Sequence, residues 1–232
     1  MATYIVGDIH GCFREWIRFK SKMESLDTEA EFILVGDILD KGPNSYEMLQ
    51  WARERITVNG KYQMVLGNHE EEKIKWLQQV LQNPEEKRWQ EKEMAGKWLS
   101  ADGMEFFRIC QKKNWGEQQL KELLVWFCML PTVIEKDVGK KKFLIAHSKE
   151  QLKENEKIQK TDWIFVHGHK PTTLEPCKSM GAVPGKVWIQ EKDINVDCGL
   201  VYGVAKEKGL YGDLAAYCLE DGEQFYYYNH KM

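Results

Sequence analysis

Residues that can bind a metal ion follow short apolar segments at five places in the sequence. At the first three places a glycine stands between the apolar segment and the polar residue, as in the segments 4–8, 32–37 and 62–68. The candidate donors are Asp8, His10, Asp37, Asn68, His147 and His169. This mixture of carboxylate, amide and imidazole donors favours manganese, iron or zinc in an open site over a closed structural zinc site. The sequence therefore predicts a metal centre.

The spacing of these donors predicts two divalent ions. Asp8 and His10 are two positions apart at a strand exit, so their side chains point to the same side and can chelate one ion. The donors left for a second ion are Asn68, His147 and His169. Asp37 is the carboxylate available to bridge the two ions. Cations about 3.5–4 Å apart hold a bridging hydroxide and polarise a phosphoryl oxygen. The predicted reaction is hydrolysis of a phosphate ester by in-line attack of that hydroxide.

Three further polar residues predict acid catalysis and phosphate binding. His69 is next to Asn68 in the chain and is expected to point away from it, free to protonate the departing oxygen. Asp40 lies three residues beyond Asp37 and is expected to orient the His69 ring and keep it cationic. Lys41 is expected to bind the phosphate together with Asn68.

Each of these residues alone has an ordinary structural explanation. A Gly-Asp pair after a strand is usually a turn or a helix cap, and a single histidine is more often structural than a ligand. Turns and caps do not explain why five strand ends each carry a metal donor, so the joint pattern favours a site. His167 shares a strand face with His169 and is predicted not to be a ligand.

Alternating strands and helices position the first donors. Apolar residues at helical spacing predict an amphipathic helix over 13–26 and a second one that begins at Ser45. The residues of the first helix face are Phe13, Trp16, Ile17, Lys20, Met23 and Leu26, of which Lys20 is the one polar exception. With the strands before the donors, the order is β-α-β-α-β, which predicts a parallel sheet with right-handed crossovers. Open sheets of this kind build sites at their strand ends.

The rest of the chain predicts a helical insert over about residues 70–130, followed by more strands. The insert contains tryptophans that we expect in the core or an interface, namely Trp76, Trp89, Trp98, Trp115 and Trp126. Strands are predicted at 132–135, 143–146, 163–167, 187–196, 215–219 and 223–228, the last pair joined by an Asp221-Gly222 turn. Turns, loops or solvated segments are predicted at 136–142, 149–160 and 174–185. We expect one domain over residues 1–232.

Composition excludes several classes of protein. The net charge of −3 and pI of about 6.1 give no basic surface for nucleic acid. The longest apolar run, 123–130, is far below the roughly 18 residues of a membrane span, and the first strand leaves no room for a signal peptide. The six cysteines show no C-x-x-C spacing, which argues against disulfides or a cysteine zinc site. We expect a cytoplasmic protein.

The glycine-flanked segments resemble the signature motifs of a known family, the phosphoprotein phosphatase group of the calcineurin-like metallophosphoesterases. The similar blocks are 7–11 (GDIHG), 36–42 (GDILDKG), 67–70 (GNHE), 146–147, 168–169 and 197–203 (DCGLVYG). They cover nearly the whole chain in the family's order. Size and insert are most similar to the small phage lambda-type and bacterial serine/threonine protein phosphatases.

This resemblance implies an α/β (α+β) fold, a central β-sandwich of two mixed sheets flanked by helices, in place of the open sheet. It also implies two metal ions, most often manganese, and a phosphorylated protein or a small phosphoester as substrate. The chain departs from the family at Lys41, where an arginine is usual, and the block at His147 reads Ala-His-Ser. Residues 149–168 contain no second phosphate-binding arginine. The lysines that could replace it are Lys149, Lys153 and Lys160.

Three functions follow from these observations. The first is a metal-dependent phosphatase acting on phosphoserine, phosphothreonine or phosphotyrosine in proteins. The second is a symmetrical diadenosine tetraphosphate hydrolase, since the segments 42–45 and 65–69 resemble those enzymes too. The third is a non-catalytic metal-binding or phosphate-sensing protein, suggested by the missing arginines. The sequence leaves the oligomeric state open.

Overall fold

The computed structural model describes residues 1–82, 95–96, 99–152, 162–206 and 210–228. The predicted β-α-β-α-β order at the start of the chain is confirmed, and its three strands pair in parallel. The elements are β1 Thr3–Val6, α1 Phe13–Leu26, β2 Glu31–Leu34, α2 Ser45–Arg55 and β3 Tyr62–Met64. Because the strands are parallel, the loops that follow them leave the same edge of the sheet.

Helices α1 and α2 cover one face of this sheet. Trp16, Phe19 and Met23 of α1 are buried, at the spacing of one helix face. The Trp16 ring lies edge-on to Phe32 of β2, at a centroid distance of 6.0 Å. The predicted face is wrong at Leu26, which is 62% exposed. Leu26 is the last residue of the helix, and Phe19, absent from the predicted face, is buried instead.

Three helices form the predicted insert as far as the structure describes it. They are α3 Asn68–Gln82, α4 Met104–Lys112 and α5 Glu117–Cys128. Trp76 of α3 is buried edge-on to Phe106 and Phe107 of α4, at centroid distances of 5.8 and 6.1 Å. It is therefore a core anchor, as predicted. Half-buried against the same core are Trp115 and Trp126. Outside the described residues lie Trp89 and Trp98.

A second five-stranded sheet follows, in the order β4-β5-β6-β8-β7. Its strands are β4 Val133–Val138, β5 Lys141–Ala146, β6 Trp163–His167, β7 Trp188–Gln190 and β8 Asp193–Asn195. β5, β6 and β8 are parallel neighbours, whereas β4 and β7 are antiparallel strands at the two edges. The ends of β5 and β6 thus leave the same edge of this sheet.

Two boundaries in this sheet differ from the sequence prediction. The segment 136–142, predicted as a turn, is mostly strand, with two residues between β4 and β5. Because β4 is an edge strand, Glu135 and Asp137 are exposed and carry no apolar signal. The single strand predicted over 187–196 is instead the β7–β8 hairpin, which turns at Glu191 with a φ of 51°.

The C-terminal elements complete the first sheet, in the order β10-β9-β1-β2-β3. They are α6 Leu200–Ala205, β9 Ala215–Cys218 and β10 Gln224–Tyr226. The predicted Asp221-Gly222 turn is confirmed, since the N–H of Glu223 donates to Asp221 Oδ1 at 2.8 Å. The segment 174–185 is a loop, as predicted. Of the segment 149–160, Glu150–Leu152 forms a 3₁₀ turn and residues 153–160 lie outside the described part.

The two sheets pack face to face. Ile5 and Ile33 of the first sheet meet Ile145, Val166 and Ile194 of the second in one buried cluster. Because side chains alternate along a strand, the opposite face of the first sheet is buried under the helices. The predicted β-sandwich of two mixed sheets flanked by helices is confirmed. No helix in the described part of the chain is long and apolar enough to cross a membrane.

Gly7 lies where the chain after β1 touches the chain after β8. A Cβ atom at Gly7 would lie 2.1 Å from the carbonyl oxygen of Val196. This oxygen belongs to the backbone, so it cannot rotate away. The absence of a side chain at Gly7 therefore lets the two sheets meet beside the first donor loop.

We predict that Gly7→Ala lowers the free energy of unfolding by about 1–3 kcal/mol, the usual cost of overpacking. Urea denaturation followed by tryptophan fluorescence measures the change. Gly116→Ala is the control, because a Cβ there meets only a side-chain oxygen at 3.3 Å. Equal stability of the two variants would contradict the close approach of the sheets.

Candidate metal centre

The loops after β1, β2, β5 and β6 and the start of α3 meet at one edge of the sandwich. They bring together all six predicted donors, which are Asp8, His10, Asp37, Asn68, His147 and His169. Asn68 and His169 are half-buried, and the other four are buried. His167 lies outside this group, with Nε2 2.9 Å from Asp193 Oδ1. The six side chains that the sequence singles out as candidate donors therefore converge at one place, and His167 does not join them.

Three of the donors lie on left-handed backbone. The φ angle is 45° at His10, 49° at Asp37 and 70° at His169. This region costs a residue other than glycine about 1–3 kcal/mol and persists where the surrounding structure fixes it, often at functional sites. The strained turns aim the side chains inward at the ends of the strands.

His10, Asp37 and His69 form one group, with donor atoms within 4.8 Å of one another. His10 Nε2 lies 3.8 Å from Asp37 Oδ2 and 4.0 Å from Asp8 Oδ2. His10 Nδ1 lies 3.0 Å from the carbonyl oxygen of Leu39. A carbonyl only accepts, so Nδ1 carries the proton and Nε2 presents a lone pair. Burial lowers the pKa of His10 to about 3, which keeps the ring in the neutral form that binds metal.

Asp37, His147 and His169 form a second group. Asn68 Oδ1 lies 2.8 Å from His147 Nε2 and 2.9 Å from His169 Nδ1. These two nitrogens are 3.2 Å apart. His147 Nδ1 donates to the carbonyl of Val35 at 2.8 Å, so its Nε2 also presents a lone pair. Two imidazole nitrogens and an amide oxygen that converge in this way fit a divalent cation.

Asp37 belongs to both groups. Its Oδ1 is 3.4 Å from His147 Nε2, and its Oδ2 is 3.8 Å from His10 Nε2. Each carboxylate oxygen of Asp37 therefore faces a different set of nitrogens. His69, which the sequence prediction kept apart from the donors, directs Nε2 at the same carboxylate, 3.9 Å from Oδ2.

Buried carboxylates crowd this edge of the sandwich. Burial raises the pKa of Asp8, and the charges of Asp197 and Asp37 raise it further. The pKa of Asp197 is raised to about 7, again mainly by burial. Asp197 belongs to the segment 197–203, for which the sequence pattern predicts no chemical role. A divalent cation would relieve the repulsion among these groups, so the residues present fit a metal site.

His69 and Asp40 form the predicted pair. His69 Nδ1 donates to Asp40 Oδ2 at 2.7 Å, and Asp40 is fully buried. Burial lowers the pKa of His69, but the hydrogen bond to Asp40 and the charge of Asp37 outweigh it, so the pKa is raised above its usual value. More of the His69 population is therefore protonated at neutral pH than in an exposed histidine.

Two charged residues of α3 that the sequence left unassigned lie beside the donors. Glu70 is fully buried and accepts the backbone N–H groups of Asp37 and the next residue, at 2.8 and 3.2 Å. Lys73 is fully buried and ion-paired with Asp40. Lys73 lies four residues after His69, and this spacing is the signal that could have found it, because residues four apart share one helix face.

Lys41 reaches the first donor group, with Nζ 3.0 Å from His10 Nε2. Of the lysines considered as substitutes for the second arginine, Lys149 is ion-paired with Asp193. The others, outside the described residues, are Lys153 and Lys160. Of the two candidate lysines that the structure describes, Lys41 lies at the donors and Lys149 does not.

Comparison with known proteins gives a family match over most of the chain. The family model for calcineurin-like phosphoesterase matches residues 1–203. A symmetrical bis(5'-nucleosyl)-tetraphosphatase from Cronobacter sakazakii is 36% identical over 70 residues, which are 30% of this chain and 24% of that protein. The same enzyme from Buchnera aphidicola is 39% identical over 71 residues, again 30% and 24% of the two chains. The aligned segments therefore cover less than a third of either relative.

Solved structures show the same fold. A crystal structure described provisionally as a diadenosine tetraphosphatase has a TM-score of 0.54 at 17% identity, covering 97% of this chain and 92% of that one. A protein serine/threonine phosphatase from Saccharomyces cerevisiae has a TM-score of 0.54 at 12% identity, covering 93% and 72%. At these identities the likeness concerns the fold alone.

We predict that Asp37→Asn removes bound metal, because the amide takes away the charge and one of the two donor oxygens. Metal analysis of protein dialysed against manganese counts the ions per chain. Asp221→Asn, in the exposed turn of the first sheet, is the matched control and should keep the metal content of the wild type. Full metal occupancy in Asp37→Asn would contradict a role for Asp37 as a donor shared by the two groups.

Proposed function

The chain belongs to the calcineurin-like phosphoesterases, and we propose that it is a metal-dependent phosphatase that hydrolyses phosphomonoesters. The observation that carries this proposal is the position of Asp37 between two groups of imidazole nitrogens. One cation would be held by Asp8, His10 and Asp37, and the other by Asp37, Asn68, His147 and His169. Manganese is the expected metal, with iron or zinc as alternatives, since the donors mix carboxylate, amide and imidazole.

The chain's own side chains bind and orient the phosphate. When bound, the two cations supply Lewis-acid polarisation of the phosphoryl group and activate the attacking water. Asn68 directs Oδ1 at the imidazoles, which leaves its N–H groups to donate to a phosphate oxygen. Lys41 adds a positive charge from the His10 side. An ammonium group lacks the planar fork of arginine, so Lys41 attracts the phosphate but orients it less.

His69 is the proposed proton donor to the leaving oxygen. Its Nδ1 is occupied by Asp40, so Nε2 is the atom that faces the site and transfers the proton. The raised pKa of His69 favours the protonated ring, which can donate this proton as the phosphorus–oxygen bond breaks. Asp40 orients the ring and balances its charge.

The His69–Asp40 pair favours a substrate with a poor leaving group. The alkoxide released from phosphoserine or phosphothreonine needs a proton as it departs, so a general acid lowers the barrier. A nucleoside diphosphate leaves as a stable anion and gains less from it. Phosphoserine and phosphothreonine in proteins are therefore the first candidate substrates, followed by phosphotyrosine and small phosphoesters.

Symmetrical hydrolysis of a dinucleoside tetraphosphate is the second candidate. The relatives from Cronobacter sakazakii and Buchnera aphidicola carry this activity in their names, and they support it here through a partial alignment.

A substrate panel separates the two candidates. Manganese-loaded protein is incubated with p-nitrophenyl phosphate, a phosphoserine peptide and diadenosine tetraphosphate, and released phosphate and ADP are measured. We expect the highest kcat/KM with the phosphopeptide. Faster cleavage of the dinucleotide would replace the first candidate with the second. Turnover of none of them by a protein that holds two metals would indicate a metal-binding or phosphate-sensing role.

We predict that His69→Asn keeps both metals while kcat on the phosphopeptide falls by about 10²–10⁴-fold, the contribution typical of a general acid. Metal analysis and steady-state kinetics on the same sample test this. His167→Asn is the matched control, since His167 is a buried histidine outside both donor groups. Loss of metal from His69→Asn would show that His69 is a ligand and not the acid.

A further inference from the structure

Lys73 is fully buried, although lysine is among the residues least often found inside proteins. Its ammonium group is ion-paired with Oδ2 of Asp40, which is also fully buried. The same oxygen accepts the hydrogen bond from His69 Nδ1, at 2.7 Å. One carboxylate oxygen therefore connects Lys73 to the proposed proton donor.

Helix α3 brings Lys73 and His69 to Asp40 together. The two residues are four positions apart, so they lie one turn apart on the same face of the helix. Trp76 continues this face into the core. Lys73 Nζ also lies 6.0 Å from the centroid of the Phe106 ring in α4. Lys73 is thus held between the apolar core of the helical insert and the site.

Other contacts of Asp40 do not fix its carboxylate. Its backbone N–H donates to Ser45 Oγ at 3.0 Å, which restrains the main chain. Its Oδ1 is buried without a hydrogen-bond partner among the described residues. The rotation of the carboxylate therefore depends on the two groups at Oδ2. Without Lys73, only His69 would hold it, and His69 is the group that has to be positioned.

We propose that Lys73 is a positioning residue for proton transfer, because it holds the Asp40 carboxylate in the orientation that aims His69 at the leaving oxygen. The proposal rests on the role given to His69 in the proposed function. A buried ion pair is weak evidence for stability, since apolar residues of similar volume often replace one without loss. Because the ion pair of Lys73 and Asp40 lies next to His69, its role is to orient the His69 ring.

Positioning makes a specific kinetic prediction, because only substrates that need the proton respond to it. In Lys73→Met, kcat on the phosphoserine peptide should fall by about 10–100-fold, the usual effect of losing a partner behind a site residue. On p-nitrophenyl phosphate, whose leaving group is a stable anion, kcat should stay within about threefold of the wild type. Metal content and KM should not change. Lys75→Met is the matched control, since Lys75 lies on the same helix and is exposed.

A second measurement does not need activity. In the metal-free protein, the His69 Nδ1 proton should give a slowly exchanging downfield NMR signal, assigned by its absence in His69→Asn. This signal should be lost in Lys73→Met and kept in Lys75→Met. If Lys73→Met does not fold, Lys73→Gln takes its place. Glutamine is neutral and a weaker donor, so the ratio of the two kcat values should shift in the same direction by a smaller factor.

The outcomes separate this inference from the proposed function. An unchanged kcat ratio and an unchanged His69 signal in a folded Lys73 variant would overturn the positioning role, whatever the activity of the wild type. A wild type that hydrolyses none of the substrates, with a His69 signal that depends on Lys73, would overturn the proposed function and leave the positioning of His69 by Lys73 standing.

Discussion

The site depends on one constraint, that the Asp37 carboxylate must lie between two sets of imidazole nitrogens. Gly36 has a φ of 94°, and a Cβ atom there would lie 2.7 Å from the Cα atom of Gly67. Two glycines therefore let the loop after β2 touch the start of α3, backbone to backbone. Glu70 then accepts the Asp37 N–H at 2.8 Å, and Asp37 Oδ1 accepts the His69 N–H at 3.0 Å. One hydrogen bond therefore holds the backbone of Asp37 and the other holds its carboxylate.

Residues of the second sheet form polar contacts with the loops after β1 and β2, at the edge of the apolar sandwich. His147 Nδ1 donates to the carbonyl of Val35, and the backbone N–H of His169 lies 3.3 Å from both oxygens of Asp8. Apolar burial between the sheets is non-directional, so it stabilises the sandwich without fixing where the loops end. The hydrogen bonds between strand ends are directional and bring the second group of donors to Asp37.

The candidate donors stand out in the sequence because each follows a short apolar strand, with a glycine between strand and donor at the first three places. The pairing of His69 with Asp40 was expected from the position of Asp40 three residues after Asp37 and from the common pairing of a carboxylate with an imidazole. Glu70 and Lys73 were missed because charged residues on a helix normally face water. Here Glu70 meets the backbone of the loop after β2, and Lys73 lies against Phe106 of α4. The strand over 136–138 was missed because its polar residues resemble those of a turn. An edge strand exposes such residues to solvent. In both cases burial is set by elements distant in sequence.

The exposed face of β4 carries Glu135 and Asp137, and Lys136 on the same strand is ion-paired with Glu31 at 2.9 Å. The open side of an edge strand is a template on which a strand of another molecule can pair. Two copies approaching through β4 would bring these carboxylates close together and would have to desolvate them. The charged residues of β4, which make the strand hard to recognise from hydropathy, therefore also disfavour edge-to-edge pairing between copies.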